Sequence, residues 1–116
     1  QQVPPVNTPG TGRAFGTLNL GTGALTWTLT FANLTSPTTV VAGSPAHIHG
    51  PALPGQNAGI LLPLTGVLAG VTSGTFSGSG TLTLEQVQFV REGRTYVNLH
   101  TVAFPNGEIR GQINVV

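Results

Sequence analysis

The sequence predicts an all-β protein: an antiparallel β-sandwich or a small Greek-key barrel with at most one short helix. Three observations carry that expectation. Seventeen glycines and nine prolines break 116 residues into short runs, the mark of many strands joined by turns. Several of those runs alternate apolar and polar residues with period two. An Asn-Gly pair, Asn106-Gly107, stands between two such runs, which is the strongest short-range hairpin signal. A chain of 116 residues fits one hydrophobic core, so a single domain is expected from residue 12 to 116.

Residues 1 to about 11 are Pro- and Thr-rich without periodicity, and read as a flexible N-terminal arm. Arg13 to Leu20 then alternates, with Ala14, Gly16, Leu18 and Leu20 on one face. Gly21-Thr22-Gly23 suits a tight turn, and Ala24 to Ala32 sets Leu25, Trp27, Leu29 and Phe31 against Thr26, Thr28 and Thr30. The two segments make a hairpin with one buried face. Asn33 to Ser44 is a polar loop, and the strand Ala46-His47-Ile48-His49 follows it. Pro51 to Gly59 is a loop. Ile60 to Leu64 is interrupted by Pro63, which places it at a sheet edge or strand end. Gly74 to Thr83 alternates small residues with Phe76 and Leu82. Thr83-Leu84-Glu85-Gln86 has the spacing of a helix capping box, with Gly93 where a C-terminal cap belongs. One helix of about two turns is therefore expected between them. Thr95 to Thr101 and Glu108 to Val116 complete the strands.

The last hairpin poses a register question. A two-residue Asn106-Gly107 loop would pair Leu99 with Asn114 and His100 with Ile113. That sets His100 on the face of Ile109 and Ile113, with Val97 and Leu99 on the other. Either both faces are partly buried, or a bulge or longer loop shifts the pairing.

Composition excludes several function classes. Charged residues are 6% of the chain, with no lysine and no aspartate, and the net charge is +1. Four arginines cannot form a basic stripe, so nucleic-acid binding is not expected. No apolar run approaches a membrane span. The absence of cysteine removes disulfides and thiolate metal sites. Nucleophilic catalysis lacks a motif, and a carboxylate pair would have to come from Glu85, Glu92 and Glu108 alone. Gln1-Gln2-Val3-Pro4-Pro5 would suit the start of a mature secreted chain, and a Thr-, Ser-, Asn- and Gly-rich surface fits a secreted or periplasmic setting.

The histidines carry the one chemical constellation. His47 and His49 are two apart on a strand, so both imidazoles face one side. His100 ends a second strand. Neutral imidazole is the commonest side-chain metal ligand, and three of them leaving an open position suit Cu²⁺ or Zn²⁺. The lack of nearby carboxylates or thiolates favours copper, with zinc as the alternative. Asn98 shares a strand face with His100. Glu108 and Arg110 lie just past the following turn, where they could orient a histidine or place positive charge beside an open metal position. The competing reading makes Glu108 and Arg110 a structural pair, with Arg110 bonding loop carbonyls or the Glu108 carboxylate. Tyr96 reads as a half-buried strand aromatic on the same face.

Two stretches, His47-Ile48-His49-Gly50-Pro51-Ala52 and Tyr96-Val97-Asn98-Leu99-His100-Thr101 followed by Pro105-Asn106-Gly107-Glu108-Ile109-Arg110-Gly111-Gln112, resemble the signature of the CHRD domain, named from chordin. The resemblance covers roughly Thr11 to Val116. It implies an extracytoplasmic β domain whose motif histidines are His47, His49 and His100. A weaker likeness is to copper–zinc superoxide dismutase, also a Greek-key protein with an His-x-His strand. Here the further histidine and the aspartate of a zinc site are missing, and so is the disulfide. Three function classes follow. The first is a domain holding one copper ion, with a role in copper binding or redox handling. The second is an adhesion or assembly module, meeting a protein partner or a second copy, in which the motif is structural. The third is a copper-dependent oxidoreductase.

Overall fold

A computed structural model describes residues 5–115. It is a two-layer antiparallel sandwich. One layer is a three-stranded sheet in the order β1 (Thr11–Leu18), β2 (Ala24–Ala32), β5 (Gly74–Thr81). The other has four strands in the order β4 (Ile60–Pro63), β3 (Ala46–His49), β6 (Tyr96–Leu99), β7 (Ile109–Gln112). The sandwich rather than the barrel is the outcome. Of the expected arm, residues 1–4 lie outside the described residues. Residues 5–10 form no strand, yet Thr8 donates to the Glu108 carboxylate at 2.6 Å.

The alternation of β2 decides which face meets the core. Trp27, Leu29 and Phe31 are buried between the sheets, where they pack with Ala46, Ile48, Leu64 and Leu99. Thr26, Thr28 and Thr30 point away, and their hydroxyls bond those of Thr17, Ser77 and Thr75. Gly78 is required by the core. A Cβ there would lie 2.4 Å from Trp27 Cζ2, so the indole occupies the space a side chain would need.

The single helix, α1 (Leu84–Arg91), is specified locally. Thr83 Oγ1 accepts from the Gln86 amide, and Gln86 Oε1 accepts in return from the Thr83 amide. At the other end Gly93 adopts φ +71°. Its amide bonds the Val90 carbonyl while that of Arg94 bonds Phe89, closing a Schellman motif. Val87 and Val90 pack with Leu82 in a second small core.

The last hairpin departs from the two-residue turn. Tyr96 pairs with Gln112 and Leu99 with Ile109, so residues 100–108 form a long connection. Pro105 and Asn106 occupy the middle of a turn closed by the Gly107 amide on the Phe104 carbonyl. Proline at the second position and glycine at the fourth suit a type I turn, so this Asn-Gly pair makes a corner inside the loop. The pairing is displaced by an odd number of residues from the two-residue register. Val97, Leu99 and Ile109 therefore share the core face, and Asn98 and Arg110 share the opposite one. β4 lies at the sheet edge, as Pro63 implied, and its register with β3 shifts between Ile48 and His49.

Candidate metal centre

β3 lies between β4 and β6. With Ala46 and Ile48 turned into the sandwich core, His47 and His49 necessarily face the other side of the sheet. Cross-strand pairing then assembles a polar layer there. His47 stands opposite Asn98, which stands opposite Arg110; His49 stands opposite Tyr96, which stands opposite Gln112. His100 follows β6 and is held by its amide on the Pro45 carbonyl at 2.7 Å. This face is not solvent-exposed: His47, His49, Asn98, His100 and Arg110 are all buried. The site therefore lies outside the sandwich core yet is enclosed by neighbouring loops.

The three histidines converge. Each offers a ring nitrogen, and those atoms lie within 4.8 Å of one another. His47 Nδ1 is 2.9 Å from His100 Nε2. Two nitrogens bound to one ion at about 2.0 Å lie roughly 2.8 Å apart at a right angle and roughly 3.3 Å apart at a tetrahedral one. The observed separation is that of two neighbouring ligands, although without an ion it is also that of a hydrogen bond.

Hydrogen bonds fix which nitrogen of each ring is available. His49 Nδ1 lies 3.0 Å from the Ala58 carbonyl, and His100 Nδ1 lies 2.8 Å from the Pro105 carbonyl. A carbonyl only accepts, so each Nδ1 carries the proton and each Nε2 presents a lone pair. The carbonyls of Val41 and Ala42 lie beside the His47 ring and favour its protonated form. Ring N–H groups braced on main-chain carbonyls are the usual outer support of metal-binding imidazoles. Two of the nitrogens, His47 Nε2 and His49 Nε2, are buried without a hydrogen-bond partner.

Electrostatics keep the set neutral. Burial lowers the pKa of His47 and His49 from the ordinary value, with the nearby carbonyls opposing it. Burial, joined by the other two imidazoles, brings His100 down to about 4. All three are therefore uncharged at neutral pH, the state that coordinates metal.

Glu108 and Arg110 do not pair with each other. Glu108 accepts from Thr8, from the amide and hydroxyl of Thr35, and from Thr101, at 2.6 to 3.0 Å. It fastens the N-terminal segment and the loop after β2 to the residue beside His100. Burial would raise its pKa, but these donors prevail and hold it below the usual carboxylate value. The Arg110 guanidinium lies 3.5 Å from the Tyr96 ring centroid and donates to Asn57 Oδ1 at 3.1 Å. Tyr96 in turn stacks on His49, with centroids 4.9 Å apart and planes within 4°. The expected half-buried aromatic is thus fully buried and supports a histidine. Its hydroxyl also donates to the Ala58 carbonyl at 3.1 Å, the same oxygen that braces His49. The bracing carbonyls of Ala58 and Pro105 had no signal in the sequence, because any residue type supplies a carbonyl.

The CHRD domain family model matches residues 1–113. Comparison with curated proteins and with solved structures gives no match, so the likeness to superoxide dismutase gains no support there. The match spans nearly the whole chain, from the segment before β1 through β7, and the chain therefore belongs to the CHRD domain family.

Proposed function

We propose that this is a secreted or periplasmic metal-binding domain that holds one copper ion through His47, His49 and His100, with a role in copper binding or redox handling. The observation that carries the reading is the convergence of three neutral, buried imidazoles whose nitrogens lie within 4.8 Å. His49 Nε2 is buried with no hydrogen-bond partner, which is unfavourable unless something occupies its lone pair. A cation does so.

An all-nitrogen set favours copper or zinc over the hard cations. With no carboxylate or thiolate in the set, copper is the reading preferred over zinc. When bound, copper would supply a one-electron couple. The protein's part is to orient the three rings through carbonyls and exclude water with the covering loops. The extracytoplasmic setting is supported by the family, whose domains occur in extracellular proteins. Among the described residues no helix is long and apolar enough to cross a membrane.

A structural module is the second reading. Its support is that the same histidines tie loops to the sheet without any ion, through Ala58, Pro105 and the His47–His100 contact. Elemental analysis and electron paramagnetic resonance on protein purified without a histidine tag separate the two. One copper per chain with nitrogen hyperfine structure is expected. Metal-free protein that takes up no Cu²⁺, and whose melting temperature Cu²⁺ leaves unchanged, would favour the structural module.

A further inference from the structure

Asn98 is the second unexplained group on the histidine face. It is 4% exposed, sits directly opposite His47 across the β3–β6 ladder, and lies diagonally from His49. Its amide nitrogen donates to the Asn106 carbonyl at 3.4 Å. The carboxamide oxygen must then point the other way, and it is buried with no hydrogen-bond partner. That oxygen belongs to a side chain on the same face of the sheet as His49, on the neighbouring strand.

His49 Nε2 is itself an acceptor, since its Nδ1 hydrogen goes to Ala58. Two buried acceptors, His49 Nε2 and Asn98 Oδ1, thus belong to one face of adjacent strands, and neither has a donor. Two buried acceptors left unsatisfied are costly when the site is empty and favourable around a cation. We propose that Asn98 Oδ1 is a fourth ligand of the centre, so that the donor set is three imidazole nitrogens and one neutral carboxamide oxygen. This rests on the three-histidine reading above. A neutral amide adds a donor without adding charge, and it narrows the space left at the ion for outside molecules.

The competing role for Asn98 is purely structural, to hold Asn106 and through it the loop that carries Pro105. Two substitutions separate the roles. Asn98→Asp keeps an oxygen at the ligand position but removes the donor to Asn106; Asn98→Ala removes both. Cu²⁺ affinity is measured by chelator competition, and melting of the metal-free forms checks folding. Asn98→Ala is expected to bind at least about tenfold more weakly, with a changed paramagnetic resonance spectrum. Asn98→Asp is expected to bind at least as tightly as the unsubstituted protein.

Equal weakening in both variants would overturn the proposal in favour of the structural role, and so would unchanged affinity in Asn98→Ala. Should either variant fail to fold, electron–nuclear double resonance on Cu²⁺-loaded protein with carboxamide-¹³C asparagine decides it without substitution. Strong ¹³C coupling is expected, and its absence would overturn the assignment. An unsubstituted chain that binds no Cu²⁺ removes the three-histidine reading and this one together. Binding through the histidines with Asn98→Ala unaffected removes only Asn98.

Discussion

His47 Nδ1 lies 2.9 Å from His100 Nε2, although 53 positions separate the two residues in the chain. The contact joins a central strand to the end of its neighbour on the face turned away from the sandwich core. Because the Pro105 carbonyl already holds the His100 Nδ1 proton, His47 must donate from Nδ1 when no ion is present. Metal binding through His47 Nδ1 would therefore require that ring to carry its proton on Nε2 instead.

The metal-free protein should lose stability as pH falls from about 6.5 towards 4. The folded pKa of His100 is about 4, against 6.5 unfolded, so the unfolded chain takes up the proton first. The unfolded state binds more protons across that window, and stability rises with pH there. His47 and His49 shift in the same direction. Thermal melts in buffers across this range should show a falling midpoint, and a shallower slope in His100→Ala. A flat profile would contradict the buried, neutral state of the three rings.

Glu108 contributes with a different pH signature. Its folded pKa is lowered, so its contribution is full above the ordinary carboxylate value and is lost as pH falls through the folded value. Glu108→Ala leaves the Thr8, Thr35 and Thr101 donors without their acceptor, and should cost about 2–4 kcal/mol at neutral pH. Urea unfolding of the metal-free forms at pH 7 checks this. A loss under about 0.5 kcal/mol, the range of an ordinary surface substitution, would mean that the carboxylate is not a structural anchor.

Gly78→Ala should destabilise the sandwich by about 1–3 kcal/mol through overpacking. The new methyl would fall on the Trp27 ring at 2.4 Å. Indole fluorescence, from the only tryptophan in the chain, should shift with the lowered midpoint. Unchanged stability and emission would show that the ring does not lie on that glycine.

Much of this architecture was legible in the chain. The Thr/apolar alternation of β2 is a local pattern with one burial solution, and the capping box and Gly93 mark the helix from its own residues. The His-x-His spacing placed two imidazoles on one face by strand geometry alone. The final register was not legible. Asn106-Gly107 satisfies the composition of a hairpin turn, but Pro105 ahead of it suits a type I corner inside a longer loop. The role of Glu108 was hidden for a different reason: its partners Thr8 and Thr35 lie 100 and 73 residues away. No periodicity encodes a buried carboxylate shared by three separate segments. The enclosure of the histidine face depends on the same kind of distant loop packing.

Isothermal titration with Cu²⁺ at pH 7 tests the central claim most directly. The account predicts one ion per chain in the unsubstituted protein. It predicts no site in His49→Ala or in the triple variant His47→Ala, His49→Ala, His100→Ala. Stoichiometric binding that survives in the triple variant, or no binding by the folded unsubstituted chain, would contradict it.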